Sequence, residues 1–173
     1  MARDIAMADT GRGRDVIRAA TPDDVPVILD LITDLAAYER EPESVTATQG
    51  DLQAALFGPQ PHVWCHIAEV DGVVAGFAVW FLNFSTWLGK HGIYLEDLYV
   101  RPQYRGSGLG LALLRAIAAT AVQRGYGRVE WSVLDWNTPS IEFYRRVGAQ
   151  PMDEWTTFRL TGESLNALNG TSE

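Results

Sequence analysis

Between residues 93 and 123 the chain runs from a strand, through a loop of alternating glycines, into a helix, and few folds accept that order. Residues 93–100, Ile-Tyr-Leu-Glu-Asp-Leu-Tyr-Val, are rich in the β-branched and aromatic types that strands prefer. Leu111, Leu114, Ile117, Ala118, Ala121 and Val122 then recur at helical spacing. The connection reads Arg101-Pro102-Gln103-Tyr104-Arg105-Gly106-Ser107-Gly108-Leu109-Gly110. Glycine lets backbone N–H groups approach a ligand closely. A helix N-terminus adds unpaired donors and a partial positive charge, and Arg105 adds a full one. Such a loop suits an anion, above all a pyrophosphate.

Three phosphate loops share this outline. A Walker A loop ends in Gly-Lys-Ser/Thr, and the chain has no such sequence. A dinucleotide fingerprint needs glycine at its first, third and sixth positions. Gly106 and Gly108 fit, but Leu111 stands at the sixth. Glu130 nonetheless lies about 20 residues on, where that fingerprint wants an acid. The third pattern is Arg or Gln, two residues, Gly, one residue, then Gly or Ala, and Arg105, Gly108 and Gly110 match it without a gap. In this the loop resembles the GNAT superfamily of N-acetyltransferases. An ordinary glycine-rich turn would read the same way, so the flanks matter. Tyr94-Leu95-Glu96-Asp97-Leu98-Tyr99-Val100 runs straight into Arg101-Pro102. About 30 residues on, a strand–helix–strand distance, come Leu134-Asp135-Trp136-Asn137-Thr138-Pro139-Ser140 and Ile141-Glu142-Phe143-Tyr144-Arg145-Arg146-Val147-Gly148-Ala149. These are similar to the family's second signature, an Asn followed by a short helix that carries a Tyr and ends in Gly-Ala. More closely, Leu35-Ala36-Ala37-Tyr38-Glu39, Ser85-Thr86-Trp87-Leu88-Gly89-Lys90, residues 93–100 and Trp136-Asn137 resemble the spermidine/spermine N-acetyltransferases and their sister group, the thialysine N-acetyltransferases. Ser85-Thr86-Trp87 and Val133-Leu134-Asp135-Trp136-Asn137 lean toward the thialysine side. The likeness covers roughly residues 16–160.

A chain of 173 residues is one domain, large enough for a real core. We expect a polar tail over 1–15, the acetyltransferase domain over 16–168 and a second tail over 169–173. Residues 1–15 have no apolar core, so they are not a secretory signal, and no apolar run reaches the length of a membrane span. One cysteine, Cys65, excludes an internal disulfide and is compatible with a cytoplasmic setting. Fourteen basic against 22 acidic residues give a net charge of −8, which argues against nucleic acid as a partner and suits a cationic substrate.

The pattern predicts a first strand over 16–19. Thr21, Pro22 and Asp24 then open a helix whose apolar face is Val25, Ile28, Leu29, Ile32, Leu35 and Ala36. Thr48 and Asp51 start a second helix that Gly58 stops. Strands over 63–70 and 73–82 are joined by Asp71-Gly72, a hairpin signal. After the long helix come a strand over 129–134, a helix capped by Thr138, and a last strand over 155–160. Consecutive strands early and alternation late predict an α/β (α+β) fold: a mixed, mostly antiparallel sheet flanked by helices, which is also what the GNAT resemblance implies.

The resemblance implies acetyl transfer from acetyl-CoA to a small amine, by direct attack in a ternary complex. It makes Glu96 the base or ammonium anchor, with Asp97 as the rival on the other strand face, and Tyr144 the acid that protonates the leaving thiolate. The backbone of Leu98, Tyr99 and Val100 would pair with the pantetheine arm. Arg105, Gly106, Ser107, Gly108, Leu109, Gly110 and Leu111 would hold the pyrophosphate, and Asn137 with Ser140 the arm. Tyr38, Glu39, Trp87 and Glu130 would line the amine site. In other contexts these are ordinary residues: Tyr144 a packing tyrosine, Glu96 a solvated carboxylate, Asn137 a helix start. Between Gly148-Ala149 and the last aromatic stretch, Gln150-Pro151-Met152-Asp153-Glu154 is shorter than in the relatives, which puts polyamine specificity in doubt. His62, Cys65 and His66 lack a third ligand in a zinc pattern, so no metal is expected. Relatives are homodimers. The rival functions are a GNAT enzyme with another acceptor (an amino acid, an antibiotic amine or a protein amine) and a non-catalytic acyl-CoA sensor.

Overall fold

The computed structural model describes residues 8–9 and 15–170. They belong to two compact units, 1–132 and 133–173. The first unit holds a six-stranded sheet in the order β1-β2-β3-β4-β5-β6. Its strands are β1 (Ala8–Asp9), β2 (Val16–Ala19), β3 (Val63–Val70), β4 (Val73–Ser85), β5 (Lys90–Val100) and β6 (Val129–Glu130). Every neighbouring pair is antiparallel except β5–β6. The mixed, mostly antiparallel sheet is therefore as expected. The expected tail over 1–15 is corrected at residues 8–9, where Ala8 and Asp9 pair with Ile17 and Val16. The rest of that tail up to residue 14, and residues 171–173, lie outside the described residues.

The β3–β4 hairpin turns at Asp71 (φ 49°) and Gly72 (φ 79°). Positive φ at both positions matches the right-handed twist of the flanking strands. Helices α1 (Val25–Tyr38) and α2 (Gln49–Phe57) cover one face, where Ile28, Leu31, Leu56, Cys65, Ile67, Phe77, Val79 and Tyr99 form a buried cluster. Leu31 is fully buried and Leu29 only half so. The expected helix face was rotated by part of a turn. Helix α3 (Leu109–Gln123) buries Leu109, Leu113 and Ile117 outside that cluster.

The start of α1 is held electrostatically. The Thr21 N–H and hydroxyl both donate to Asp24 Oδ2, at 2.7 and 2.9 Å. Arg18 reaches the same carboxylate with two nitrogens, at 2.7 and 2.8 Å, and also Glu69 on β3 at 2.6 Å. The Arg18 guanidinium holds the Asp24 carboxyl down at about 2. Its stabilisation is complete above the ordinary aspartate range and is lost as pH falls toward 2. Gly58 stops α2 for a different reason than expected: its φ is −65°, and a Cβ there would collide with the Ala54 carbonyl oxygen.

Two expected strands are corrected. Pairing over 129–134 ends after Ile93↔Val129 and Tyr94↔Glu130, because β5 bulges immediately beyond and turns its edge away. Residues 155–160 are coil, with Trp155 and Phe158 67% and 91% exposed. Among its described residues the second unit contains α4 (Thr138–Arg146) and α5 (Gly162–Leu168) and no strand, so this segment has no ladder to join in its own unit. Helix α4 is capped by Asn137 and not Thr138: Asn137 Oδ1 accepts from the Ser140 N–H at 3.4 Å.

Candidate active site

The glycine loop has the shape its sequence implies. Gly106 (φ 77°) and Gly108 (φ 98°) occupy backbone regions that favour glycine. A Cβ built at Gly106, Gly108 or Gly110 would meet nothing within 4 Å, so the space before the helix is open. Gly108 is the N-cap of α3, and the first intrahelical bond runs from the Ala112 N–H to its carbonyl at 2.9 Å. The preceding first-turn amides have no intrahelical acceptor, the arrangement that suits a helix N-terminus to an anion. Ser107 Oγ donates to the Tyr104 carbonyl at 2.7 Å, which closes the loop on itself. Gly108→Val would put a β-branched side chain at φ +98° and fill this space. We expect coenzyme A affinity to fall by at least about tenfold, read by calorimetry, with α3 retained by circular dichroism. Parental affinity would remove the loop as the pyrophosphate site.

Beside the loop, β5 offers a backbone edge. Its partner β6 pairs only with Ile93 and Tyr94, and among the described residues no strand continues that edge over 95–100. Leu98 and Val100 lie on this stretch, opposite Ala78 and Gly76 of β4. An extended amide-bearing arm could pair there as an added strand.

The same stretch carries the carboxylates. Val79 pairs with Asp97 and Trp80 with Leu95, so Glu96 is the extra residue of a bulge. Glu96 is exposed and Asp97 half-buried. Asp97 lies opposite Val79, on the face covered by α1. Burial pushes its carboxyl up to about 6, with Glu96 and Glu39 adding to the effect. Burial also raises Glu39, at the end of α1. The sheet thus brings Glu39 into the electrostatic surroundings of Asp97. Tyr38, the residue before it, lies against Arg105. The family resemblance puts Glu96 first, with Asp97 as its rival. The bulge, invisible in the residue types, leaves Glu96 exposed and Asp97 on the face under α1, where burial raises its carboxyl.

Three of the expected residues lie in the second unit. Asn137 is the N-cap of α4, and Ser140 and Tyr144 lie four residues apart on one face of the helix. Tyr144 packs its ring against Phe143, 5.2 Å between centroids. The remaining candidates are less concentrated. Trp87 is 89% exposed in the turn between β4 and β5. Glu130 is engaged by Arg128 Nε at 2.8 Å and Asn83 Nδ2 at 2.7 Å, which holds β4, β6 and the segment before β6 together. Asp153 and Glu154 are exposed coil. His66 is buried and accepts from Trp80 Nε1 at 3.0 Å through Nδ1. Burial lowers its pKa to about 4, and it serves the core. Among the described residues no group of three His, Cys, Asp or Glu side chains is placed to hold a metal, and no helix is long and apolar enough to cross a membrane.

A strand that bulges at an acid and runs through a glycine loop into a helix N-terminus forms a backbone cradle suited to an anion. Comparison with known proteins makes this specific. The profile of the acetyltransferase (GNAT) family matches residues 26–149, most of the chain and parts of both units. The chain belongs to that family and is an amine N-acetyltransferase. It is 36% identical over 198 residues to the L-ornithine N5-acetyltransferase NATA1 of Arabidopsis thaliana, covering 88% of this chain and 87% of the relative. It is also 36% identical over 166 residues to the thialysine N-epsilon-acetyltransferase of Bos taurus, covering 90% and 97%. Among solved structures, an integron cassette protein from the mobile metagenome of V. cholerae superposes with a TM-score of 0.76 at 25% identity, over 91% of this chain and 98% of that one.

Proposed function

We propose that this enzyme moves an acetyl group from acetyl-CoA to a primary amine of a small diamine-like amino acid or polyamine, of the thialysine or ornithine kind. The observation that carries this reading is the juxtaposition on β5 of a free backbone edge, a carboxyl with a pKa of about 6 and the open glycine loop. The fit of the cosubstrate rests on that loop, whose three open glycine positions and first-turn amides form a cradle. Acetyl-CoA supplies the activated acetyl thioester. The residues of the chain do the rest. The exposed Glu96 attracts the substrate ammonium. Asp97 Oδ accepts a proton from it, directly or through water, once pH exceeds about 6. The backbone of Leu98 and the Val100 N–H align the arm, the Val100 carbonyl being taken by Arg105 Nε. Tyr144, at the position of the family's acid, returns a proton from Oη to the departing sulfur. Glu39 adds negative charge that favours a second cationic group on the acceptor. A homodimer in the cytoplasm accompanies this reading, as the resemblance implies.

Release of free thiol from acetyl-CoA tests it against thialysine, ornithine, lysine, spermidine, spermine and a peptide with a free terminus. Turnover of thialysine or ornithine at least about tenfold above the peptide is the expected result. Coenzyme A binding with no turnover on any acceptor would replace this reading with an acyl-CoA sensor.

A further inference from the structure

Arg105 opens the glycine loop, and its exposed side chain has partners on β5 and α1. Its Nε donates to the Val100 carbonyl at 2.8 Å. Its Cζ lies 4.8 Å from the centroid of the Tyr38 ring and 5.3 Å from that of Tyr99. Three elements therefore meet on one guanidinium: the last residue of α1, the end of β5 and the first residue of the glycine loop. Planarity is what allows this, since a guanidinium lies over aromatic faces while its edge donates to a carbonyl.

The end of α1 needs such a hold. It closes in a Schellman turn, with the Glu41 N–H donating to the Ala36 carbonyl at 2.9 Å and the Arg40 N–H to the Ala37 carbonyl at 3.2 Å. The residue that such a turn places in the left-handed region is normally glycine. Here it is Arg40, at φ 69°. A non-glycine residue stays there only where its surroundings over-determine it. The strained residue directly follows Glu39, whose carboxyl raises the pKa of Asp97. Where α1 ends thus sets where Glu39 lies relative to Asp97.

We propose that Arg105 is a positioning residue for the acceptor amine, joining the phosphate loop to the Tyr38–Glu39 end of α1 so that cosubstrate binding and the amine site are coupled. This rests on the acetyltransferase reading and deepens it. The alternative is a guanidinium that serves as a charge for the pyrophosphate, and the two roles separate experimentally. A lysine keeps a point charge for a phosphate but loses the planar fork and the Nε–H. Loosening the joint displaces the Tyr38–Glu39 end of α1 and so weakens the amine side, while the loop amides still bind the cosubstrate.

The test uses the full chain, with coenzyme A titrated by calorimetry and thialysine or ornithine as acceptor in steady-state assays. In R105M the acceptor KM is expected to rise about tenfold, while kcat and the coenzyme A Kd stay within about threefold. R105K is expected to show the same rise, and melting curves check that both variants fold. Tyr38→Leu should raise the acceptor KM similarly, and R105M combined with Tyr38→Leu should add nothing further. A coenzyme A Kd weakened tenfold in R105M and restored in R105K, with acceptor KM unchanged, would make Arg105 a phosphate ligand and overturn the assignment, leaving the acetyltransferase reading intact. Unchanged constants in all variants would overturn it equally. A wild-type protein that turns over neither acceptor overturns the acetyltransferase reading, and the assignment falls with it.

Discussion

Asp97→Asn is expected to lower kcat/KM for the amine by about 10²-fold at pH 7.5, the usual contribution of a general base, and to remove the rise of activity near pH 6. The sign follows from the site. Burial, helped by Glu96 and Glu39, pushes the Asp97 carboxyl up to about 6, so the basic carboxylate forms as pH climbs through that value. In the variant only the ionisation of the amine itself remains. The same shift works against stability. The folded state holds this proton more tightly than the unfolded chain, whose aspartates titrate near 3.9. Stability contributed by the protonated form is present below about pH 4 and is lost as pH rises through 6. Asp97→Asn should therefore be more stable than the parent at pH 7.5, by about 1–2 kcal/mol after allowance for partial exposure, and no more stable at pH 4. A less active but more stable variant is what a functional carboxyl predicts. If the limb near pH 6 and the rate both survive in Asp97→Asn, the base is Glu96, and Glu96→Gln should then carry the loss.

Tyr144→Phe should cost about 10²-fold in kcat, with coenzyme A affinity changed by less than about threefold. Phenylalanine keeps the ring that packs on Phe143 at 5.2 Å and removes only the hydroxyl. The loss should therefore fall on the chemical step and on the alkaline side of the pH profile. Single-turnover measurements after mixing separate chemistry from product release. Parental kcat in Tyr144→Phe would remove this residue as the acid. A loss confined to coenzyme A affinity would make the hydroxyl a ligand of the arm.

Much of this protein was legible in the order of its residues, wherever the signal is local. Asp71-Gly72 specifies its hairpin because both residues adopt positive φ. Gly106 and Gly108 specify an anion loop for the same reason. Thr48 and Asp51 cap a helix through contacts three residues apart, the two hydroxyl and amide bonds falling at 2.7 and 2.9 Å. Glu39, Glu96 and Tyr144 could be named from the motifs they sit in. What the sequence could not supply is anything that depends on one segment meeting another. Residues 155–160 have strand-like composition but form no strand in their own unit, because a strand exists only against a neighbour. The strand over 129–134 stops after two pairs because β5 bulges. That bulge exposes Glu96 and turns Asp97 into the face under α1, where loss of water and two neighbouring carboxylates set its pKa. Arg105 reads as a charge for phosphate, and only the packing of α1 on β5 brings the Tyr38 ring within reach of it. The sequence by itself determined the Asp71-Gly72 turn, the Thr48–Asp51 cap, the glycine loop and the list of chemically able residues, since these follow from backbone preference over a few positions. The tertiary structure decided which carboxyl is buried under α1 and that Tyr38 meets Arg105, since burial by another element and contact with it arise only between segments distant in the chain.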